Sequence, residues 1–150
     1  MKYFLLTLVI TLATFAGTTG GKPPAKNSSV VFSATIKEKT INIGGTGEIL
    51  ISLKPQKGIH INLQPPLNIT FDDDSTATLS GTMVVPSVKK DTVEYFDSSK
   101  PIKQSFTLAK QLRPGKVSLK GAFVYFFCSD AEGWCSRFKQ PFTVEVTVVP

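Results

Sequence analysis

The sequence is poor in the residues that most metal and nucleotide sites need. Its 150 residues include one histidine, His60, and two cysteines, Cys128 and Cys135. With no second histidine and no Cys-x-x-Cys pair, a zinc site lacks ligands, and we expect no metal. No phosphate-binding loop, dinucleotide fingerprint or nucleophile elbow is present. Hydrolase and nucleotide chemistry are therefore unsupported, and we expect no bound cofactor.

The sequence also lacks clustered positive charge and a second long apolar run. Lys and Arg total 17 against 11 Asp and Glu, a net charge of +6, but the longest basic run is Lys89-Lys90. Proteins that bind nucleic acid usually concentrate such charge, so we expect no nucleic-acid partner. After residue 16 no run approaches the roughly 20 apolar residues of a membrane-spanning helix. We therefore expect no membrane span in the mature chain.

The first 29 residues are typical of an export signal and a linker. Lys2 precedes an uncharged apolar stretch over residues 3–16, which ends in small residues. This pattern predicts a cleavable signal peptide over residues 1–16. Residues 17–29, rich in Gly, Pro, Lys and Ser, predict a flexible leader. Residues 30–150 then form one domain of ordinary size.

The rest of the chain has the pattern of short strands separated by turns. Six segments are rich in β-branched and aromatic residues: 30–36, 48–53, 59–63, 103–108, 116–127 and 141–149. In the last of them Phe142, Val144, Val146 and Val148 alternate with polar residues, which predicts a strand with one buried face. Frequent Pro and Gly leave no long window for a helix. About seven to nine short strands predict an all-β antiparallel sandwich.

The two cysteines lie close together, with Cys128 and Cys135 separated by six residues. In an exported protein two cysteines usually pair, because the compartment is oxidising. Closing a loop of about eight residues stabilises a fold by only about 2–3 kcal/mol on the chain-entropy model. A pair that clips one hairpin end adds little to the core. A structural clip and a redox function both remain open on these residues.

The surroundings of the cysteines favour a redox function. The aromatic residues Phe127 and Trp134 stand among several that flank the pair, which suggests shielding or a partner surface. Asp130 and Glu132 lie between the cysteines, and nearby carboxylates raise the pKa of a thiol by disfavouring its thiolate. A thiol with a raised pKa attacks poorly and resists stray oxidants. We therefore expect Asp130 and Glu132 to modulate the pair.

Residues 128–135 (CSDAEGWC) resemble the cysteine hairpin of a known family, the N-terminal periplasmic domain of the transmembrane thiol:disulfide interchange reductase DsbD. Residues 57–62 (KGIHIN) resemble the Gly-aromatic strand of that family, and residues 94–97 (EYFD) resemble its cap loop. The likeness extends over about residues 30–149. It implies an immunoglobulin-like sandwich that passes electrons by disulfide exchange in the periplasm.

The resemblance also implies a role for individual residues. Cys135 would form the mixed disulfide with partners, and Cys128 would resolve it. Glu94, Tyr95 and Phe96 would form the cap that covers the pair. Two positions differ from the family pattern: the cysteines are six residues apart where five are expected, and Val93 stands where an acidic residue is expected.

The resemblance implies two kinds of partner. A thioredoxin-like protein or a membrane thiol reductase would donate electrons, because this sequence contains no electron channel or thioredoxin-like domain of its own. Periplasmic proteins that carry disulfides would accept them, in disulfide isomerisation or cytochrome c maturation. A second hypothesis has the same fold but no disulfide exchange: the chain would be an exported immunoglobulin-like binding or assembly module whose disulfide stiffens a recognition hairpin.

Overall fold

The computed structural model describes residues 27–90 and 92–150 of the chain. The predicted signal peptide and residues 17–26 of the predicted leader lie outside these residues. Over the described part every regular element is a strand, and no helix there could cross a membrane. The eleven strands are β1 (Val30–Ile36), β2 (Thr40–Asn42), β3 (Thr46–Pro55), β4 (Ile59–Asn62), β5 (Asn68–Phe71), β6 (Ala77–Val84), β7 (Ser87–Lys90), β8 (Val93–Phe96), β9 (Ile102–Leu108), β10 (Gly115–Ser129) and β11 (Trp134–Val149).

The strands form two stacked sheets and a small ribbon. Sheet A has the order β1-β3-β9-β6, and sheet B has the order β2-β11-β10-β4, with β5 also paired to β10. The ribbon consists of β7 and β8. Every pairing is antiparallel except that of β2 with β11, where Thr40–Asn42 run parallel to Thr147–Val149. The chain is an all-β, immunoglobulin-like sandwich, as the sequence predicts.

The core lies between the two sheets and is built by strand alternation. In β3 the side chains of Ile49, Ile51 and Leu53 are fully buried, and the residues between them are not. In β11 the predicted alternation is confirmed: the buried residues are Phe142, Val144, Val146 and Val148. Each large apolar side chain buried in this way stabilises the fold by about 1.5–3 kcal/mol. The alternation therefore orients both sheets towards one shared core.

The six predicted strands are all present, but four of them, β3, β9, β10 and β11, are longer than predicted. β10 continues through Ser129 and β11 begins at Trp134, so that both cysteines lie inside strands rather than beyond their ends. Five further strands were not predicted: β2, β5, β6, β7 and β8. These strands are short or largely exposed, and they lack the alternation of apolar and polar residues from which a strand is predicted.

Residues Asn27 to Ser29, at the end of the predicted leader, are bonded to the sandwich. The Asn27 side-chain amide donates to the Tyr125 hydroxyl at 3.0 Å. The carbonyl groups of Ser28 and Ser29 accept hydrogen bonds from the side chain and backbone of Gln56. The contacts of the domain thus begin three residues before β1.

Candidate functional site

The two cysteines form a disulfide that joins the facing strands of the long hairpin. Cys128 in β10 is paired directly with Cys135 in β11, with a Cα–Cα distance of 4.1 Å. So short a distance marks the pair of facing residues that exchange no backbone hydrogen bonds, where side chains are closest. The pairing of β10 with β11 in one hairpin is therefore enough to bring the two sulfurs together.

A four-residue turn, residues 130–133, closes the hairpin beyond the disulfide. The backbone N–H of Gly133 donates to the carbonyl of Ser129 at 2.9 Å. Gly133 has a φ of 69°, a left-handed conformation that a residue with a side chain adopts only with strain. The Ser129 hydroxyl accepts a further bond from the backbone N–H of Glu132 at 3.3 Å. The turn thus holds the strand ends in register at the disulfide.

The two sulfur-bearing residues differ in exposure. Cys128 is 4% exposed and lies among buried residues, whereas Cys135 is exposed. Disulfide exchange requires a thiolate to approach one sulfur of the bond. Of the two residues only Cys135 is exposed, so we expect an incoming sulfur to reach that residue first.

The disulfide is part of a row of side chains that crosses three strands. Cys128 is paired with Cys135 on one side and with His60 of β4 on the other. Directly opposed residues in a sheet point to the same face, so His60, Cys128 and Cys135 share one face of sheet B. Asn62, two residues after His60 in β4, lies on this face as well. Its side-chain amide Nδ2 is 3.0 Å from Sγ of Cys128.

His60 is held between the hairpin turn and the ribbon. Its Nδ1 lies 3.3 Å from Oδ2 of Asp130, a pair that is charged on both sides only when the imidazole is protonated. The two groups lack hydrogen-bond alignment, which leaves this buried Nδ1 without a bonded partner. The ring also packs edge-to-face on Tyr95, with ring centroids 5.7 Å apart. His60 therefore connects the hairpin turn to strand β8.

The residues predicted to form the cap lie on strand β8 and have three different environments. Tyr95 is half-buried and contacts His60, beside the disulfide row. Phe96 points into the core, where it is 7% exposed. Glu94 is exposed and accepts a hydrogen bond from the Ser87 hydroxyl of β7. Of the three, the structure brings Tyr95 to the candidate site.

The end of β8 is closed by Asp97. Its carboxylate accepts hydrogen bonds from the hydroxyl and the backbone N–H of Ser99, and it lies 3.3 Å from Nζ of Lys100. These hydrogen bonds, above all the one from the Ser99 hydroxyl, lower the pKa of Asp97. The carboxylate therefore stays charged at neutral pH and fixes the turn that follows Tyr95 and Phe96.

The aromatic residues next to the cysteines in sequence lie on the opposite face of the hairpin. Phe127 is buried in the core, and Trp134 packs edge-to-face against it with centroids 5.6 Å apart. Because strand neighbours alternate, the residue next to a cysteine points away from the sulfurs. The structure therefore does not bring Phe127 and Trp134 over the disulfide. They support the hairpin from the core side.

The two carboxylates of the turn bind other side chains. Glu132 accepts a hydrogen bond from the indole N–H of Trp134, and Asp130 lies beside His60. Asp130 is 84% exposed as a side chain, so water screens its charge. The modulating effect expected of Asp130 and Glu132 is therefore a weak one at most, exerted through solvent.

Sequence reasoning identified the cysteines but missed Asn62 as a neighbour of the sulfur. Alternation in the predicted strand 59–63 does place His60 and Asn62 on one face. No local pattern shows that this strand pairs with the cysteine strand, because the two segments lie 66 residues apart at the Asn62–Cys128 contact. The pairing is a product of the whole fold.

The chain matches no known family model and no curated protein. Solved structures similar to it at low levels include the following two. The seventh ScaB type I cohesin from Pseudobacteroides cellulosolvens is 12% identical with a TM-score of 0.40, over 79% of this chain and 92% of that one. AggA, the major subunit of aggregative adherence fimbriae type I from Escherichia coli, is 12% identical with a TM-score of 0.39, over 84% and 99%. At these values neither similarity assigns a ligand, partner or activity to this chain. The fold and the site define an immunoglobulin-like domain with a hairpin disulfide.

Proposed function

We propose that this chain is an exported thiol–disulfide exchange protein that passes electrons through Cys128 and Cys135. The observation that carries the proposal is the difference in exposure within the pair: Cys135 is open to solvent and Cys128 is 4% exposed. A purely structural disulfide has no need of such asymmetry. An exchange protein benefits from it, because one sulfur meets the partner and the other is kept for the second step.

The reaction has two halves that balance. In the first half, a donor thiolate attacks Sγ of Cys135, the Cys128–Cys135 bond breaks, and Cys128 leaves with the electron pair and takes up a proton. A second donor thiol then releases reduced Cys135. In the second half, the Cys135 thiolate attacks an acceptor disulfide and Cys128 resolves the mixed disulfide. The pair is oxidised again, the acceptor is reduced, and neither half needs a bound cofactor.

The chemistry indicates the classes of partner. The donor is a dithiol protein, such as a thioredoxin-like protein or a membrane thiol reductase. The acceptors are periplasmic proteins with accessible disulfides, including those of disulfide isomerisation and cytochrome c maturation. The proposed location is the periplasm, reached through a cleavable signal peptide over residues 1–16. Tyr95, packed on His60 beside the pair, supports a role for β8 in limiting access to the sulfurs.

The test is to trap the mixed disulfide in cells. Cys128→Ala leaves the exposed Cys135 with no resolving thiol, so we expect covalent adducts with partner proteins that dithiothreitol releases. The matched control is Cys135→Ala, which leaves only the buried cysteine and should yield far fewer adducts. Adducts should appear on non-reducing gels of the periplasmic fraction. Equal adducts from both variants, or none from either, would overturn the proposal.

A second candidate is a non-catalytic binding or assembly module, and one observation favours it. Val88 and Val93 on the ribbon are 51% and 49% exposed, an apolar feature typical of a contact surface. A redox titration separates the two. An inert structural disulfide has a potential below about −300 mV, and an exchanging pair lies above it.

A further inference from the structure

We propose that Asn62 is a catalytic residue of the cysteine pair, whose side-chain amide stabilises Cys128 as the thiolate that leaves when the disulfide opens. This inference rests on the proposed exchange reaction and names a residue that acts on one of its reacting atoms. The contact that carries it is the 3.0 Å separation of Asn62 Nδ2 from Cys128 Sγ.

The direction of this hydrogen bond follows from the chemistry of the sulfur. A disulfide sulfur carries no hydrogen, so it can only accept, and the amide N–H of Asn62 must donate. The sheet register maintains the contact. Asn62 is paired with Phe126, two residues before Cys128 in β10, which places its side chain on the face of the sulfurs. Asn62 is half-buried, so the packing around β4 restricts its side chain.

The donor is aimed at the atom on which negative charge develops. When an external thiolate attacks Sγ of Cys135, a new bond forms between the two sulfurs and the bond to Cys128 breaks. The electron pair goes to Sγ of Cys128. At 4% exposure this residue is poorly reached by water, and a fixed N–H donor is worth more there than in solvent.

The same contact favours one of the two possible sites of attack. Attack at Cys128 would expel Cys135. That leaving group is exposed, and the amide of Asn62 is hydrogen-bonded to the other sulfur of the disulfide. Attack at Cys135 expels Cys128, whose sulfur already accepts a hydrogen bond from the amide of Asn62. A leaving thiolate that is better stabilised leaves faster. Exposure and leaving-group stabilisation therefore select the same sulfur, Cys135.

In the second half of the reaction Sγ of Cys128 changes from leaving group to attacking group. Cys128 must then become a thiolate in order to attack the mixed disulfide at Cys135. The N–H of Asn62 favours the charged form of Cys128, because hydrogen bonding to an anion stabilises it. One side chain thus assists both the opening and the closing of the disulfide.

The experiment measures reduction of the purified, oxidised protein by dithiothreitol. Asn62→Leu keeps a similar volume and removes the donor. A hydrogen bond to a charged group is worth about 1.5–3 kcal/mol, so we expect reduction to slow by about ten- to a hundredfold. In a Cys135→Ala background, the same change should raise the thiol pKa of Cys128, followed by thiolate absorbance. A purely structural role would not shift that pKa.

A matched control lies on the same face in β5, which pairs with β10 next to β4. Asn68 of β5 is exposed and paired with Val124, two residues before Phe126 in β10. Asn68→Leu should leave the reduction rate within about twofold of the unchanged protein, a difference of only about 0.4 kcal/mol. If Asn62→Leu fails to fold, Asn62→Ala removes the donor without adding a charge, and it should slow reduction as well.

The outcomes distinguish this inference from the proposed function. Reduction of both Asn62 variants at the rate of the Asn68→Leu control would overturn the role of Asn62, whatever partners are trapped in cells. Slow reduction of the Asn62 variants, together with no partner trapped by Cys128→Ala, would support the role of Asn62 at the sulfur and overturn the exchange function. Dithiothreitol needs no docking surface, so the two results are independent.

Discussion

The two faces of the β10–β11 hairpin near its tip differ sharply in chemistry. The inner face carries Tyr125 and Phe127 of β10 and Phe138 of β11, which pack on one another with ring centroids about 6 Å apart. The outer face carries Cys128 and Cys135. Adjacent residues of the same strands thus contribute either to the core or to the disulfide site.

This separation follows from the period of two in a β-strand. A change of side chain on the inner face alters packing and the free energy of unfolding, whereas a change on the outer face alters the surroundings of the sulfurs. The hairpin can therefore keep a tightly packed side and a reactive side within the same few residues. The predictions below test how complete the separation is.

The largest expected effect is on the inner face. Phe127→Ala should lower the free energy of unfolding by about 3–5 kcal/mol, because it leaves a cavity in the core next to Tyr125 and Trp134. The matched control is Phe126→Ala on the outer face, one residue away and half-buried. It should give a clearly smaller loss. Denaturant unfolding measures both, and equal losses would contradict the division between the faces.

The disulfide should have the next largest effect on stability. Reduced protein should be less stable than oxidised protein by about 2–3 kcal/mol, since the bond closes a short loop within an already paired hairpin. Denaturant unfolding with and without reductant measures this difference, with Cys135→Ala as a control that reductant should not affect. A loss well above this range would mean that the disulfide supports the core as well as the outer face.

Tyr125 provides a pH-dependent test of the inner face. Burial raises its pKa, and the hydrogen bond from Asn27 partly offsets this. A raised pKa means that the folded state keeps the proton longer, so the stability due to Tyr125 is complete below about pH 10. It is lost as the pH rises through the folded-state value. Removing the hydroxyl in Tyr125→Phe also removes a hydrogen bond worth about 1 kcal/mol.

The measurement for Tyr125 is the difference in Tm between the unchanged protein and Tyr125→Phe at pH 8 and pH 11. We expect the unchanged protein to be more stable at pH 8 and to lose that advantage by pH 11. Tyr95→Phe is the control, because Tyr95 is only half-buried. Parallel Tm curves for the unchanged protein and Tyr125→Phe would show that the hydroxyl is not shielded from solvent.

The smallest expected effect belongs to the exposed turn on the outer face. Asp130→Asn should speed reduction by dithiothreitol about two- to threefold at low salt, because a nearby carboxylate disfavours thiolates. Raising the salt to 1 M should abolish the difference, since Asp130 is exposed. A large or salt-independent effect would show that Asp130 acts through His60 rather than through solvent.

Much of the sandwich could be predicted from the sequence, because it depends on local alternation. Strand 30–36 is predicted to the residue, and the buried positions of β11 follow from its pattern. The ribbon β7–β8 could not be predicted, because four-residue strands with mostly exposed side chains carry no periodic signal. Phe96 was expected beside the sulfurs and lies in the core, since tertiary packing decides which of two adjacent aromatic residues is buried.

The sequence by itself determined that this chain is a sandwich of strands and that its two cysteines meet on one hairpin, because both features depend on residues close together in the chain. Tertiary structure alone decided that β4 lies beside the cysteine strand, with the amide of Asn62 on Cys128 and Tyr95 against His60. Loop closure depends only weakly on length, so packing of the whole sheet selects such distant pairs.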